Sequence, residues 1–415
     1  MRALIMAFGT RGDIQPYAAF AGALARAGHE VTLAIPAGLA HLAPDEPGID
    51  VEPAGSEMLR LLQEVMPTLS GPRDALRTFG IMKRAMREQM DETWRAAEAH
   101  GADVVVHHPK CLAGPHIAEK LGVPGVMSLP LPLYPPTSAF PAPLFGVASF
   151  GRRGNRASYA LSRVATAAYG GMINDFRGSI GLDGSVKRLG DPLVNPDGSP
   201  MHVLSPYSRH VVPIPPDYPP TAHVAGYWFL EQDEDPEPAL ADFLDAGDPP
   251  VYIGFGSMGF GKGADTRREA VLSALAETGL RGVVATGWGG IAPGEAVSKD
   301  VFVIDGAPHG RLFPRCAAVV HHGGAGSTAA GLRAGRPSLV VPFLGDQPFW
   351  GSRVHAIGAG PAPLAPARLG RELAGRLGQL VGTPTYARRA GEVADLIAEE
   401  DGLARGVRVL EEIVG

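Results

Sequence analysis

Ala3-Leu-Ile-Met-Ala-Phe-Gly-Thr-Arg-Gly-Asp-Ile-Gln-Pro16 decides the fold class. Residues 3–8 form an apolar run of strand length, too short for the core of a signal peptide, and the turn Gly9-Thr-Arg-Gly-Asp13 ends it. Beyond the turn, Tyr17, Phe20, Ala21 and Leu24 recur at helical spacing, with Pro16 tolerated in a first turn and Gly28 as a stop. Residues 31–35 then read as a second strand. Strand, helix and strand in this order predict a parallel sheet covered by helices.

Working outward, further strands are expected at 104–107 and 123–129. Residues 205–240 change character: Pro206, Pro213, Pro215, Pro216, Pro219, Pro220, Pro236 and Pro238 accompany the acidic residues Glu231, Asp233, Glu234, Asp235 and Glu237, which is linker composition. The strand–helix rhythm restarts at 251–255 and continues through 283–285, 301–304, 317–321 and 338–343. The expectation is an α/β protein of two Rossmann-like domains facing across a cleft. Residues 1–230 would form the first domain, 231–240 the linker, 241–386 the second domain, and 387–415 a final helix crossing back to the first.

The composition agrees with a large enzyme. The chain has 415 residues, 45% hydrophobic and 19% charged, ample for buried cores. A net charge of -6 lacks the basic footprint of a nucleic-acid binder. Cys111 and Cys316 are the only cysteines, too few for a disulfide framework or a structural zinc site, so a reduced cytoplasmic protein is expected. No apolar run is long enough to span a bilayer.

Two phosphate-binding patterns nearly match. Gly256-Ser-Met-Gly-Phe-Gly-Lys262 has the spacing of a P-loop, but Gly263 stands where that loop needs Ser or Thr for magnesium. Gly324-Ala-Gly-Ser-Thr-Ala329 has dinucleotide-fingerprint spacing, with Asp346 downstream; however, His321 and His322 precede the glycines, and Asp346 lies beyond the strand. What both keep is a Gly-rich turn suited to phosphate at a helix N-terminus.

Residues 9–16, Pro308-His309, His321-His-Gly-Gly-Ala-Gly-Ser-Thr-Ala-Ala-Gly331 and Val341-Pro-Phe-Leu-Gly-Asp-Gln-Pro-Phe-Trp350 together resemble nucleotide-sugar glycosyltransferases of the GT-B fold. The nearest branch is that of the sterol 3-beta-glucosyltransferases and bacterial natural-product glycosyltransferases. The resemblance covers 1–36 and 250–355 and is weak over 40–240. It implies an inverting transfer of a hexose, glucose from UDP-glucose, to a hydroxyl of a lipophilic sterol, triterpenoid or polyketide, without a metal or other cofactor. An NAD-dependent oxidoreductase and a non-catalytic sugar-nucleotide or lipid-binding protein are the alternatives.

On the donor side the resemblance implies roles for Gly256, Ser257, Trp288, His309, His322, Gly324, Gly326, Ser327 and Thr328, with Asp346 and Gln347 on the sugar. His322 would touch the pyrophosphate beside backbone amides, hydroxyls and the helix dipole; the competing reading, Ser327 and Thr328 capping their own helix, needs fewer histidines and glycines than stand here. Asp346 and Gln347 also suit a plain turn, and Trp288 a half-buried aromatic. Ala330 falls where plant members of the superfamily carry an acid for the ribose, which leaves uridine and thymidine open.

Asp13 is the expected base, in a position that holds histidine in those plant enzymes; its competing role is a helix N-cap. On the acceptor side, the Pro-rich loop 129–146 offers Leu133, Tyr134, Phe140 and Phe145. It suits a lipophilic pocket, a peripheral membrane contact or ordinary packing. Ile81, Met82, Met86 and Met90 read as helix core before pocket.

Overall fold

In the computed structural model, residues 1–61, 64, 72–146, 149–186, 190–231, 236–256, 263–286, 298–306 and 308–415 are described. The opening strand is β1 (Arg2–Met6), buried from its second residue, and the helix Arg11–Arg26 follows it. That helix turns Ile14, Tyr17, Phe20, Ala21 and Leu24 onto the sheet, the stripe its spacing predicts.

The strand set of the first sheet is completed by β2 (Glu30–Ile35), β3 (Ile49–Pro53), β4 (Val104–His107), β5 (Gly125–Ser128), β6 (His202–Ser205) and β7 (Ala222–Val224). Their order is β3-β2-β1-β4-β5-β6-β7, and every pairing is parallel. The second sheet contains β8 (Val251–Gly254), β9 (Gly282–Ala285), β10 (Val301–Ile304), β11 (Ala318–His321) and β12 (Ser338–Val340). It is also wholly parallel, in the order β10-β9-β8-β11-β12. The fold is α/β with two Rossmann-like sheets, as expected.

Three strands escape the sequence reading. β3 is a half-exposed edge strand ending in proline, and β6 and β7 are short, the first leading into the Pro-rich stretch and the second lying within it. That stretch is not linker-like throughout: Tyr207, Val211, Val212, Val224, Tyr227 and Trp228 are buried within it. Its prolines fix turns between packed apolar side chains instead of freeing the chain.

The expected single helix over 387–414 is two, Pro384–Ala398 and Gly402–Val414; Asp401 caps the second by accepting from the Ala404 N–H at 2.9 Å. This last helix lies on Arg11–Arg26. Trp228 stacks on Phe20 at 4.1 Å and donates from Nε1 to the Gly402 carbonyl at 3.0 Å. A Cβ on Gly406 would stand 3.0 Å from both aromatic rings, so the helix approaches this closely only with glycine there.

Apolar side chains also join the two sheets directly. Leu129, Leu131, Tyr207 and Val211 share one core with Phe349, Trp350 and Val354, and Arg353 Nε donates to the Val211 carbonyl at 2.8 Å. Met90 is buried in a separate core, with Ile81, Met82 and Met86 packed at its edge.

Candidate active site

An all-parallel sheet binds ligands outside the carboxyl ends of its strands, where the strand order reverses. Here the reversals fall between β1 and β4 and between β8 and β11. The four segments leaving those strands carry residues 9–13, 108–110, 256 and 322–324.

Asp13 stands in the first turn of its helix, with Thr10 as N-cap. Its Oδ2 accepts from the Thr10 N–H at 2.8 Å and Oδ1 from Lys110 Nζ at 2.8 Å. The expected competing role is therefore present in altered form: Asp13 reaches back to the cap residue and is not the cap itself. Gly9 makes room for this, since at φ +140° any Cβ would lie 2.2 Å from Asp13 Oδ2. Burial works to raise the Asp13 pKa. The charges of Lys110 and His108, with hydrogen bonds from Lys110 and Thr10, outweigh it and hold the carboxyl below its ordinary value.

Asp346 comes from the opposite sheet, as the residue before helix Gln347–Ala356. Its Oδ2 accepts from Trp350 Nε1 at 2.9 Å. Its pKa is raised, chiefly by burial and further by Asp13, against the opposing pull of Lys110 and the Trp350 hydrogen bond. Two carboxylates from different domains thus share one electrostatic neighbourhood and are pushed in opposite directions.

His322 occupies a slot between two glycines. A Cβ on Gly256, at φ +57°, would sit 3.0 Å from its Cε1, and one on Gly324 would sit 2.6 Å from its Nε2. Nδ1 of this ring is buried without a hydrogen-bond partner among the described residues, an unmet capacity that a ligand can satisfy. Burial lowers the His322 pKa to about 4, so the ring is neutral near pH 7. His321 is fully buried and accepts the Gly323 N–H at Nδ1, which assigns it to the turn.

His309 stacks on Phe313 at 4.3 Å, and its pKa falls to about 4 through burial, then Arg11 and His322. Arg11, at the start of the helix after β1, therefore reaches His309 electrostatically. Neither Arg11 nor Lys110 is singled out by sequence motifs. The signal for Lys110 is strand order: it follows β4, the partner of β1 at the reversal.

Gly324 precedes helix Ala325–Arg333, whose first turn holds exposed Gly326 and partly buried Ser327. Thr328 is buried and donates its hydroxyl to the Gly324 carbonyl at 2.9 Å, turned into the helix. Gln347 is buried as well, its Oε1 accepting from the N–H groups of Phe343 at 2.7 Å and Leu344 at 3.1 Å. Its amide nitrogen is the end left for a ligand. Ser257 and Trp288 lie outside the described residues.

On the acceptor side, Leu133, Tyr134 and Phe140 gather at the edge of the core joining the sheets, with Phe140 against Phe349 at 5.8 Å. Phe145 is separate: it is 42% exposed and meets Phe150. Among the described residues no group of three or more metal-ligating side chains converges.

Two parallel-sheet domains with Gly-rich turns at their strand ends and a carboxylate from each sheet in one electrostatic neighbourhood have the architecture of a two-domain α/β enzyme. Comparisons give the family. The Glycosyltransferase family 28 N-terminal domain matches residues 3–139, and the Erythromycin biosynthesis protein CIII-like, C-terminal domain matches 272–412. A sterol 3-beta-glucosyltransferase of Arabidopsis thaliana is 34% identical over 98% of this chain and 67% of its own. A second from that plant is 35% identical over 88% of this chain, which spans 58% of that relative. The O-mycaminosyltylonolide 6-deoxyallosyltransferase of Streptomyces fradiae is 33% identical over 99% of this chain and 97% of its own.

Among solved structures, the glycotransferase of kitacinnamycin aligns with a TM-score of 0.73 at 17% identity, covering 100% of this chain and 99% of that one. The glycosyltransferase VinC, in complex with DTDP, aligns with a TM-score of 0.64 at 21% identity, covering 100% and 99%. The chain belongs to the GT-B glycosyltransferases that include these sterol and macrolide enzymes.

Proposed function

We propose that the protein is an inverting hexosyltransferase that moves glucose from UDP-glucose to a hydroxyl of a lipophilic acceptor such as a sterol, triterpenoid or polyketide. TDP-hexose is the second donor, favoured by the VinC complex with DTDP. The observation that carries the reading is the meeting of Asp13 and Lys110 from one sheet with Asp346 from the other, beside His309 and His322.

In this reading the diphosphate lies against Gly324, Gly326, Ser327 and the orphaned ring nitrogen of His322, with Arg11 and His309 beside it and Thr328 closing the turn from beneath. Asp346 and the Gln347 amide hold hexose hydroxyls. The acceptor enters past Leu133, Tyr134 and Phe140. Its hydroxyl oxygen attacks the anomeric carbon from the side opposite the diphosphate. The new C–O bond forms as the bond to the diphosphate breaks, the electron pair leaves with UDP, and Asp13 takes the proton. Asp13 suits a late transfer, once bonding to an oxocarbenium-like carbon has acidified the hydroxyl. No metal or cofactor enters the scheme, and a peripheral membrane contact belongs to it because the acceptor is lipophilic.

The test is a mass-spectrometric screen of UDP- and TDP-sugars against sterols and polyketides. A product heavier by one hexose, of inverted anomeric configuration, is expected. NADH turnover or binding without transfer would overturn the reading.

A further inference from the structure

At and beyond the end of the acceptor-side loop lie exposed apolar side chains that the scheme proposed above leaves unassigned. Leu144, Phe145 and Phe150 are 49%, 42% and 50% exposed, and the two rings meet edge to face at 5.8 Å. We propose that this tip docks on an anionic lipid bilayer, the rings entering the interface and Arg152 and Arg153 meeting the headgroups. This deepens the membrane part of the reading above.

Hydrogen bonds tie the described residues on the inner side of this tip. The Phe150 N–H donates to Asn155 Oδ1 at 2.9 Å, Asn155 Nδ2 donates to the Ser138 carbonyl at 3.2 Å, and the Ala142 N–H donates to Ser158 Oγ at 2.8 Å. Gly154 lets Phe150 sit close to the helix, where a Cβ would stand 2.7 Å from that of Phe150. The polar framework thus faces inward and leaves the apolar rings to solvent. Aromatic rings displayed this way are suited to a membrane interface.

Charge selects the occupant. Residues 144–163 contain Arg152, Arg153, Arg156 and Arg163 and no Asp or Glu, within a chain of net charge -6. Arg156 is engaged by Asp217 and Arg163 by Asp191. Arg152 and Arg153 are exposed and unpaired among the described residues. A second copy docked face to face would bring like charges together, whereas an anionic bilayer meets both the rings and the arginines.

The experiment sediments the full chain, with no donor or acceptor present, with phosphatidylcholine vesicles and with vesicles in which phosphatidylglycerol replaces about a third of the lipid. Binding is expected on the anionic vesicles, weakening with salt. R152Q/R153Q should lose about fivefold per arginine, and F145S/F150S should fall to background. All four side chains are exposed, so unchanged melting temperatures show that the variants fold. Equal binding to both vesicle types, or wild-type binding by F145S/F150S, overturns the proposal. So does a dimer seen by light scattering that F145S/F150S disperses, since the tip would then be a self-association face. Because sugar transfer plays no part in this assay, its failure leaves the transferase reading standing. Conversely, failure to glycosylate a dissolved acceptor leaves the vesicle result unaffected.

Discussion

Replacing Lys110 by methionine keeps its apolar stem and deletes only the charge that holds Asp13. The two charged atoms are 2.8 Å apart, with the Lys110 side chain 47% exposed and that of Asp13 26%. Coulomb's law gives about 1.5 kcal/mol at that distance in water and about 6 kcal/mol at an effective dielectric of 20. Exposure and side-chain freedom discount the pair toward the low end, about 1 to 1.5 kcal/mol, or close to one pH unit of acidity. The sign follows from the base role: transfer needs ionised Asp13 and fails as pH falls through its pKa. With the pKa held down, wild-type kcat/KM should stay flat well into the acid range. In Lys110→Met, burial acts with less opposition and the acid limb should move upward by about one pH unit, while Lys110→Arg restores it. The assay is kcat/KM against pH, with melting temperature followed at each pH. An acid limb that stays in place in the folded methionine variant would refute the assignment of Asp13 as base.

Asp13→Asn retains an acceptor for the Thr10 N–H, so the fold should persist while kcat drops about 10²- to 10⁴-fold; near-normal transfer by a folded variant would locate the base elsewhere. UDP at about 100 times its Kd should stabilise the native protein by about 2.7 kcal/mol, and His322→Ala should remove most of that shift in a thermal-denaturation assay. Activity should survive EDTA, and loss restored by magnesium or manganese would count against a diphosphate held by amides and side chains alone. Gly406→Val forces a side chain between Phe20 and Trp228 and should cost about 1 to 3 kcal/mol in denaturant unfolding.

The chain writes some of this architecture in local patterns and some only in strand order. Residues 3–35 are legible because burial on both faces of a parallel strand gives a continuous apolar run, and the helix between carries its own period. The turn around His322 is legible because two histidines before a run of glycines exceed what a helix start needs. Lys110 is not legible. Nothing local distinguishes it, and it gains meaning only because β4 pairs with β1 and not with β3. The prolines of 205–230 mislead for a related reason: composition reports flexibility, whereas Tyr207 and Trp228 report packing through partners far away in sequence. Phe145 is ambiguous in the sequence because an apolar residue in such a loop reads the same whether it faces the cleft or the solvent, and the structure leaves it exposed.

The electrostatics of the donor side give the arrangement a further consequence. His309, His321 and His322 are all held neutral near pH 7, chiefly by burial. In the proposed site, His309 and His322 would donate hydrogen bonds to a diphosphate but bring no formal charge. Among the described residues, two cations of the other sheet reach this neighbourhood: Arg11 after β1 acts on His309, and Lys110 after β4 acts on Asp346. On the proposed function, a diphosphate seated there would attract the first domain toward the second through the helix turn that carries Arg11 and Asp13. In that scheme the placing of Asp13 against the anomeric carbon would be coupled to occupancy of the donor site, and the expected consequence is little transfer to water. Small-angle scattering should register this as a smaller radius of gyration with saturating UDP. Arg11→Gln should weaken the contraction while leaving the His322 slot intact; contraction of wild-type size in that variant would show that the pull comes from elsewhere.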